Sequence, residues 1–236
     1  MKQRVQSPFS LDTTWLTVGH VDEVVSFVKA PGGQGFKMLI ASWRRAHAIL
    51  TAQAAADPTA RMLVGRLLPE RDLVSWAFLG NLPLEVTVGD FLGSGIPSLG
   101  SRGTGLIAFN TNVQRKIDRI AAAFKSRVGV KTVDLIEVPI VYFPNDADPT
   151  VADALTGGMV NTLVVGTTCV MARAFGPETL AGDLFQNYVS TELGAIGATA
   201  KFVDDWYAYH VMQGEVHCGT NTLRDPSFKK WWEVQP

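Results

Sequence analysis

Runs of β-prone residues alternate with single helical stretches roughly three times along the 236-residue chain. Thr14-Trp15-Leu16-Thr17-Val18 and Val24-Val25-Ser26-Phe27-Val28 are β-prone, Pro31-Gly32-Gly33 marks a turn, and Phe36 to Ala41 is a short, continuously apolar strand. Arg44 to Ala56 is Ala-rich and helical until Asp57-Pro58 stops it. In the second round Asn112 is a candidate N-cap for a helix reaching about Val128. Its apolar positions Val113, Ile117, Ile120, Ala121 and Phe124 follow helical spacing, and Val133 to Val141 is the next strand. Asn145 to Thr150 reads as a loop. The third round begins at Met159. Asn161 to Gly166 reads as a buried strand, Phe175-Gly176-Pro177 as a turn, Leu184 to Leu193 as a helix with Gly194 near its end, and Ala200 to Val203 as a strand. Tyr207 to Met212 and Glu215 to His217 are two further β-like segments around Gln213-Gly214. The recurrence predicts a repeated α/β unit. Residues 57–112 interrupt it: Gly89, Gly93, Gly95, Gly100, Gly103 and Gly105 lie among Ser, Thr and Pro, and 89–105 reads as a Gly-rich loop or insertion.

Composition removes several classes of protein. Hydrophobic residues make up 47%, so the chain has apolar material for a sizeable core and is not globally disordered. Lys+Arg number 21 against 22 Asp+Glu, which excludes a basic surface built for nucleic acid. The most apolar stretch, Met159 to Phe175, is broken by Asn161, Thr162, Thr167, Thr168 and Arg173 and falls short of the ~20 apolar residues of a membrane span. No apolar region follows Lys2 and Arg4, so Met1 to Trp15 is not a secretory signal. Two cysteines, Cys169 and Cys218, cannot build a disulfide framework. The expectation is a cytoplasmic protein of one or two domains, without a nucleic-acid or membrane partner.

Two clusters carry candidate chemistry. In Gly19-His20-Val21-Asp22-Glu23, an extended backbone puts His20 and Asp22 on one face, presented side by side to a single ligand. In Gly214-Glu215-Val216-His217-Cys218-Gly219-Thr220-Asn221, Cys218 follows a β-prone stretch and precedes glycine, a setting that suits a nucleophile. A lone cysteine is otherwise a small buried hydrophobe, and Cys169 is read that way. His47 and His210 are read as satisfied core or surface residues, and Trp231-Trp232 as packing. No metal-ligand spacing supports zinc, and on a strand His217 and Cys218 face opposite ways. The glycines of 89–105 lack the strand-to-helix context of a phosphate loop.

At these clusters the chain resembles the protein-arginine deiminase family. Trp15 to Glu23 resembles that family's histidine motif. Gly214 to Asn221, followed by Lys230-Trp231-Trp232 and Pro236, resembles its catalytic cysteine motif and C-terminal end. Met159-Val160-Asn161, Phe175-Gly176-Pro177, Gly35-Phe36 and Ala41-Ser42 match in order, so the resemblance runs from about Ser10 to Pro236. It implies an α/β fold of the pentein propeller type, built from ββαβ modules and incomplete here, with about three of five modules. Uncovered module faces in such a ring favour self-association. Residues 1–236 are expected to be the C-terminal portion of a deiminase catalytic domain.

The resemblance also implies hydrolysis of peptidyl-arginine to peptidyl-citrulline and ammonia. Cys218 is the implied nucleophile, His20 the acid and base, and Asp22 the ligand of the guanidinium. Gly214 and Met212 are the other implied substrate-contacting positions. Met212 stands where the family has a peptide-contacting arginine, just before Gln213. The implied partner is an arginine-containing protein or peptide. Calcium is the implied cofactor, with no ligand set identifiable: Asp146, Asp148 and Asp153 are too loosely spaced for an EF-hand loop. The family's second guanidinium-binding carboxylate lies upstream of its histidine motif and has no counterpart in the 19 residues before His20. Low activity of this chain alone is therefore expected. Alternatives from the same fold are a small-molecule guanidine hydrolase or an amidinotransferase. From outside that reaction class comes a non-catalytic binding remnant. A cysteine protease would need an acid from another element to orient the histidine.

Overall fold

The computed structural model describes residues 8–71 and 78–223, so Lys230-Trp231-Trp232 and Pro236 lie outside the described residues. Strands β1 (Val25–Lys29) and β2 (Phe36–Ser42) form an antiparallel hairpin in the register Val25↔Ile40 to Lys29↔Phe36. Gly32, Gly33 and Gly35 between them take positive φ, which a Cβ disfavours. Met38 to Ser42 are all buried, as in a strand covered on both faces. Ser42 then starts helix α1 (Trp43–Ala56), its Oγ accepting the Arg45 N–H at 3.0 Å.

Residues 61–103 hold short strands β3 (Arg61–Met62), β4 (Leu67–Arg71), β5 (Phe78–Pro83) and β6 (Val86–Thr87), paired as β3–β6 and β4–β5. The glycine-rich stretch 89–105 is not a continuous loop. It carries most of the short helix α2 (Val88–Gly93) and a 3-10 segment over Pro97–Gly103. The Thr87 hydroxyl caps α2 by accepting the Asp90 N–H at 3.0 Å.

Helix α3 (Leu106–Val128) begins after Gly105 and ends at Gly129, both in left-handed conformation. Asn112 therefore lies inside the helix and is not its N-cap. A second asparagine, Asn110, is fully buried, and its side chain pairs with the Tyr142 backbone. Its Nδ2 donates to the Tyr142 carbonyl and its Oδ1 accepts the Tyr142 N–H, each at 2.7 Å. Tertiary hydrogen bonding lets a polar, cap-forming residue type sit in mid-helix. Strand β7 (Leu135–Pro139) follows and pairs parallel with β2, Met38↔Leu135 to Ser42↔Pro139. The strand expected to follow the helix of the second round thus closes the sheet of the first.

Strands β8 (Tyr142–Pro144) and β9 (Ala152–Ala154) form the next hairpin. Thr14 to Val18 contributes only a bridge from Leu16 to Ala152, not the expected strand. The second unit repeats the connectivity of the first. Strands β10 (Leu163–Val165) and β11 (Thr168–Ala172) form a hairpin around Gly166, which has φ 61°. A small hairpin, β12 (Glu178–Thr179) with β13 (Gly182–Asp183), leads to helix α4 (Leu184–Gly194). Asp183 Oδ1 caps α4 by accepting the Phe185 and Gln186 N–H groups, and Oδ2 accepts from Gly176. Strand β14 (Thr199–Val203) then pairs parallel with β11.

The architecture is mixed α/β, with two ββαβ units among the described residues where about three were expected, and no closed ring of sheets. One apolar core runs from Trp15 to Trp206 and includes Cys169. Among the described residues no helix is long and apolar enough to cross a membrane.

Candidate active site

Both motif clusters fold as turns. Val21–Glu23 is one turn of 3-10 helix, so His20 and Asp22 do not alternate along a strand. Tyr207 to His217 is likewise not extended: His210–Met212 is 3-10, Gln213 is left-handed (φ 65°), and Glu215 to Cys218 is a turn closed by Gly219 N–H to the Glu215 carbonyl at 3.2 Å. Gly219 suits that position, because a Cβ would meet the Tyr209 ring and displace it. In a turn His217 and Cys218 need not face apart: the His217 ring meets Asp22 and the Cys218 sulfur meets Asn161, which itself bonds Asp22.

Asn161 brings the two clusters together. It is 1% exposed and lies just before β10. Its Oδ1 accepts the backbone N–H of His217 at 3.0 Å and of Cys218 at 3.2 Å. Its Nδ2 donates to Cys218 Sγ at 3.3 Å and to Asp22 Oδ2 at 2.9 Å. The same Asp22 oxygen lies 2.6 Å from His217 Nδ1. Cys218 is exposed, and its sulfur lies within two hydrogen-bond lengths of the Asp22 carboxylate.

Beneath this loop lies a buried group in which His210 is a satisfied core residue, as the sequence reading has it, while Asp205 and Glu215 carry no assignment there. Glu215 Oε1 accepts the Gly158 N–H at 2.7 Å and lies 2.7 Å from His210 Nδ1. His210 stacks on Trp206 with ring centroids 4.1 Å apart. Asp205 Oδ2 and Glu215 Oε2 are buried without a donor, and the two carboxyl groups abut. One shared proton satisfies both, in keeping with an Asp205 carboxyl pushed up to about 7 by burial and by Glu215. Burial opposes the charge on His210, but Glu215 and Asp205 outweigh it and hold the imidazole above its ordinary value. His47 packs on Trp43. Cys169 is fully buried and its thiol is pushed up to about 11.

A cavity of about 660 Å³ opens beside Cys218, in the size range of small-molecule sites. Glu23, Asp153, Glu215, Tyr142 and Asn161 are in its wall, as are Gly214 and the largely exposed Met212. Among the described residues lining it, Cys218 is present, while His20 and Asp22 are not. His20 is exposed at the start of its turn. Calcium does not fit the acidic residues near the cavity. Asp146 pairs with Arg102 at 3.1 Å, Asp148 accepts from Thr150, and Asp153 accepts from Asn145 and Gln213. No group of three or more His, Cys, Asp or Glu among the described residues is placed to hold a metal ion.

These features define a mixed α/β protein with an exposed cysteine, pinned by an asparagine to a carboxylate, at the mouth of an acidic cavity. The chain belongs to the protein-arginine deiminase family, whose family model matches residues 1–233. It is 30% identical to human protein-arginine deiminase type-4 over 234 residues and 34% identical to the rat type-3 enzyme over 236 residues. Each match covers 99% of this chain and 32% of the relative, so the chain spans about a third of the length of these relatives.

Proposed function

We propose that the chain carries the nucleophilic half of a peptidyl-arginine deiminase site and that its two ββαβ units are sectors of a pentein α/β propeller. The observation that carries the reading is the Asn161 amide, which donates to both the Cys218 sulfur and the Asp22 carboxylate. An N–H aimed at sulfur suits the negatively charged atom that attacks. In this reading Cys218 Sγ adds to the guanidinium carbon of an arginine side chain. The tetrahedral adduct expels ammonia, with His20 supplying the proton, and leaves a covalent thiouronium. Water activated by His20 then attacks the same carbon, the C–S bond breaks, and citrulline departs. Asp22 contributes negative charge beside the reacting group, and its pairing with His217 fixes the carboxylate's orientation. A reducing cytoplasmic setting keeps Cys218 a thiol.

The test is trapping with a haloacetamidine, which mimics a guanidinium and alkylates the attacking sulfur. Mass spectrometry is expected to find the adduct on Cys218, formed in preference to alkylation by a neutral reagent. A chain modified equally at Cys218 by neutral iodoacetamide, with no preference for the cationic reagent, would contradict the reading.

A further inference from the structure

Helix α3 breaks the charge balance of the chain. Its 23 residues carry Arg115, Lys116, Arg119, Lys125 and Arg127 against the single acid Asp118, in a chain whose net charge is −1. That acid is already engaged: both Asp118 oxygens accept from Arg44 Nη2 of α1, and Oδ1 also accepts from Gln114. Among the described residues none of the five cations forms an ion pair with a carboxylate. Lys116 is the best compensated, with its ammonium 5.8 Å from the centre of the Trp15 ring, and Asp12 acts at longer range on Lys116 and Arg119. Val113, Ile117, Ile120 and Phe124 turn the other side of the helix into the core, so Arg115 and Arg119 lie on its solvent side. Arg115, Arg119 and Arg127 are all exposed and fall on one i±4 row, with Ala123 between the last two. Like charges four residues apart cost a helix stability, and Thr111 and Ala123, the row's neighbours of the first two arginines, supply no carboxylate. Nothing within the helix compensates that cost.

We propose that this row of arginines is a docking face for an acidic, extended segment of a partner protein. Charge and spacing both select that occupant. Each step of the row rises about 6 Å along the helix, and alternate side chains of an extended peptide stand about 6.6 Å apart. A chain with carboxylates at alternate positions therefore meets Arg115 and Arg119 with neighbouring acids and Arg127 two steps further on. Each guanidinium offers a carboxylate two parallel N–H donors, which a lysine row would not. A nucleic acid fits less well. The net negative charge of the chain opposes a long polyanion, and no exposed residue of α3 is aromatic, so bases find no stacking platform there. None of the five cations lines the Cys218 cavity, and the docking face stands or falls independently of the deiminase reading.

The experiment is fluorescence anisotropy on the full chain at low salt with three labelled probes: a peptide of alternating Glu and Ser, the same peptide with Gln for Glu, and a thymidine oligonucleotide of matched charge. The Glu peptide is expected to bind and the Gln peptide not to, with binding weakening as salt rises because the contacts are exposed. Arg115→Gln, Arg119→Gln and Arg127→Gln are each expected to weaken the Glu peptide about two- to fivefold, and the three together about tenfold or more, the range of exposed ion pairs. Lys201→Gln, at an exposed cation on β14, is the control and is expected to leave binding unchanged. The triple variant removes like-charge repulsion, so its melting temperature is expected to equal or exceed that of wild type. Absence of Glu-peptide binding at low salt, or binding that the triple variant leaves intact, would overturn the proposal. A melting temperature that drops in the triple variant would assign the arginines to the fold instead. An oligonucleotide held more tightly than the Glu peptide through the same arginines would replace the acidic segment by a phosphate backbone and overturn the stated occupant.

Discussion

Replacing Asn161 by alanine removes four contacts at once. Two are backbone N–H groups, of His217 and Cys218, that lose their side-chain acceptor, and two are donations, to Cys218 Sγ and Asp22 Oδ2. A neutral hydrogen bond is worth about 1 kcal/mol net and a charge-assisted one about 1.5–3 kcal/mol. Water reaches the exposed cysteine turn and recovers part of this, leaving a loss of about 2–4 kcal/mol. If that loss falls on the reacting geometry, citrulline release drops by roughly 10²-fold. Asn161→Asp separates the two roles. Its carboxylate keeps the acceptor for His217 and Cys218, yet sets a like charge beside Asp22. Two unit charges about 3 Å apart repel by about 5 kcal/mol at an effective dielectric of 20, so the pair retains a proton and the donor to sulfur is lost. The assay is the rate of Cys218 alkylation by iodoacetamide across pH, read beside turnover and thermal melting. Cys169 does not interfere, being fully buried with its thiol pushed up to about 11. Both variants are expected to shift the pH profile of alkylation, with only Asn161→Ala loosening the turn. An alkylation profile that coincides with wild type in both variants would refute the role given to Asn161.

Three further outcomes follow from the geometry. The carboxyls of Glu23 and Asp205 are both raised to about 7 in the folded chain. The folded state therefore holds their protons more tightly than the unfolded one, and stability falls as pH rises from about 4 to about 7. His210, raised by its carboxylate neighbours, adds stability below its unfolded value of 6.5 that is lost as pH climbs past its folded one, so the signs agree. Melting temperatures should thus be higher at pH 5 than at pH 8, and the opposite order would contradict the buried cluster. Asn110→Ala strips two hydrogen bonds from the Tyr142 backbone and should cost about 2–3 kcal/mol in urea unfolding; a loss below about 0.5 kcal/mol would mean that water replaces them. Gly219→Ala drives a methyl into the Tyr209 ring and should cost about 1–3 kcal/mol, rescued in part by Tyr209→Ala. No rescue in the double variant would show that the clash is not with that ring.

Periodicity made the well-patterned elements legible. The β1–β2 hairpin, α1, the later part of α3, α4 and β14 all lie where apolar spacing and Gly, Pro or Asp punctuation put them. Pairing over long separations was not legible: the parallel partner of β2 is β7, 97 residues on in register, and nothing in either strand names the other. That is why two rounds of the recurrence merge into one sheet. At the site, Cys218, His20 and Asp22 stood out through their motifs, but their conformations did not. Glu215 to His217 read as β-like, yet tertiary hydrogen bonds to Asn161 and Gly158 hold Glu215 to Cys218 as a turn. Asn161 lay in a matched triplet with no role attached, because an asparagine's partners are set by the fold and not by its neighbours.

The bond from His217 to Asp22 closes a loop of 195 residues, and that from Asn161 to Asp22 one of 139. Contacts so distant along the chain pay their closure entropy before returning any energy, and they form late in folding. During refolding, then, hairpins and helices precede the meeting of the two motif turns. Until that meeting Cys218 is a free-swinging thiol in a partly ordered chain, open to oxidation and to wrong disulfides with a Cys169 not yet enclosed. Refolding under reducing conditions, followed by the moment at which Cys218 alkylation reaches its native rate, times the assembly of the site separately from the assembly of the fold.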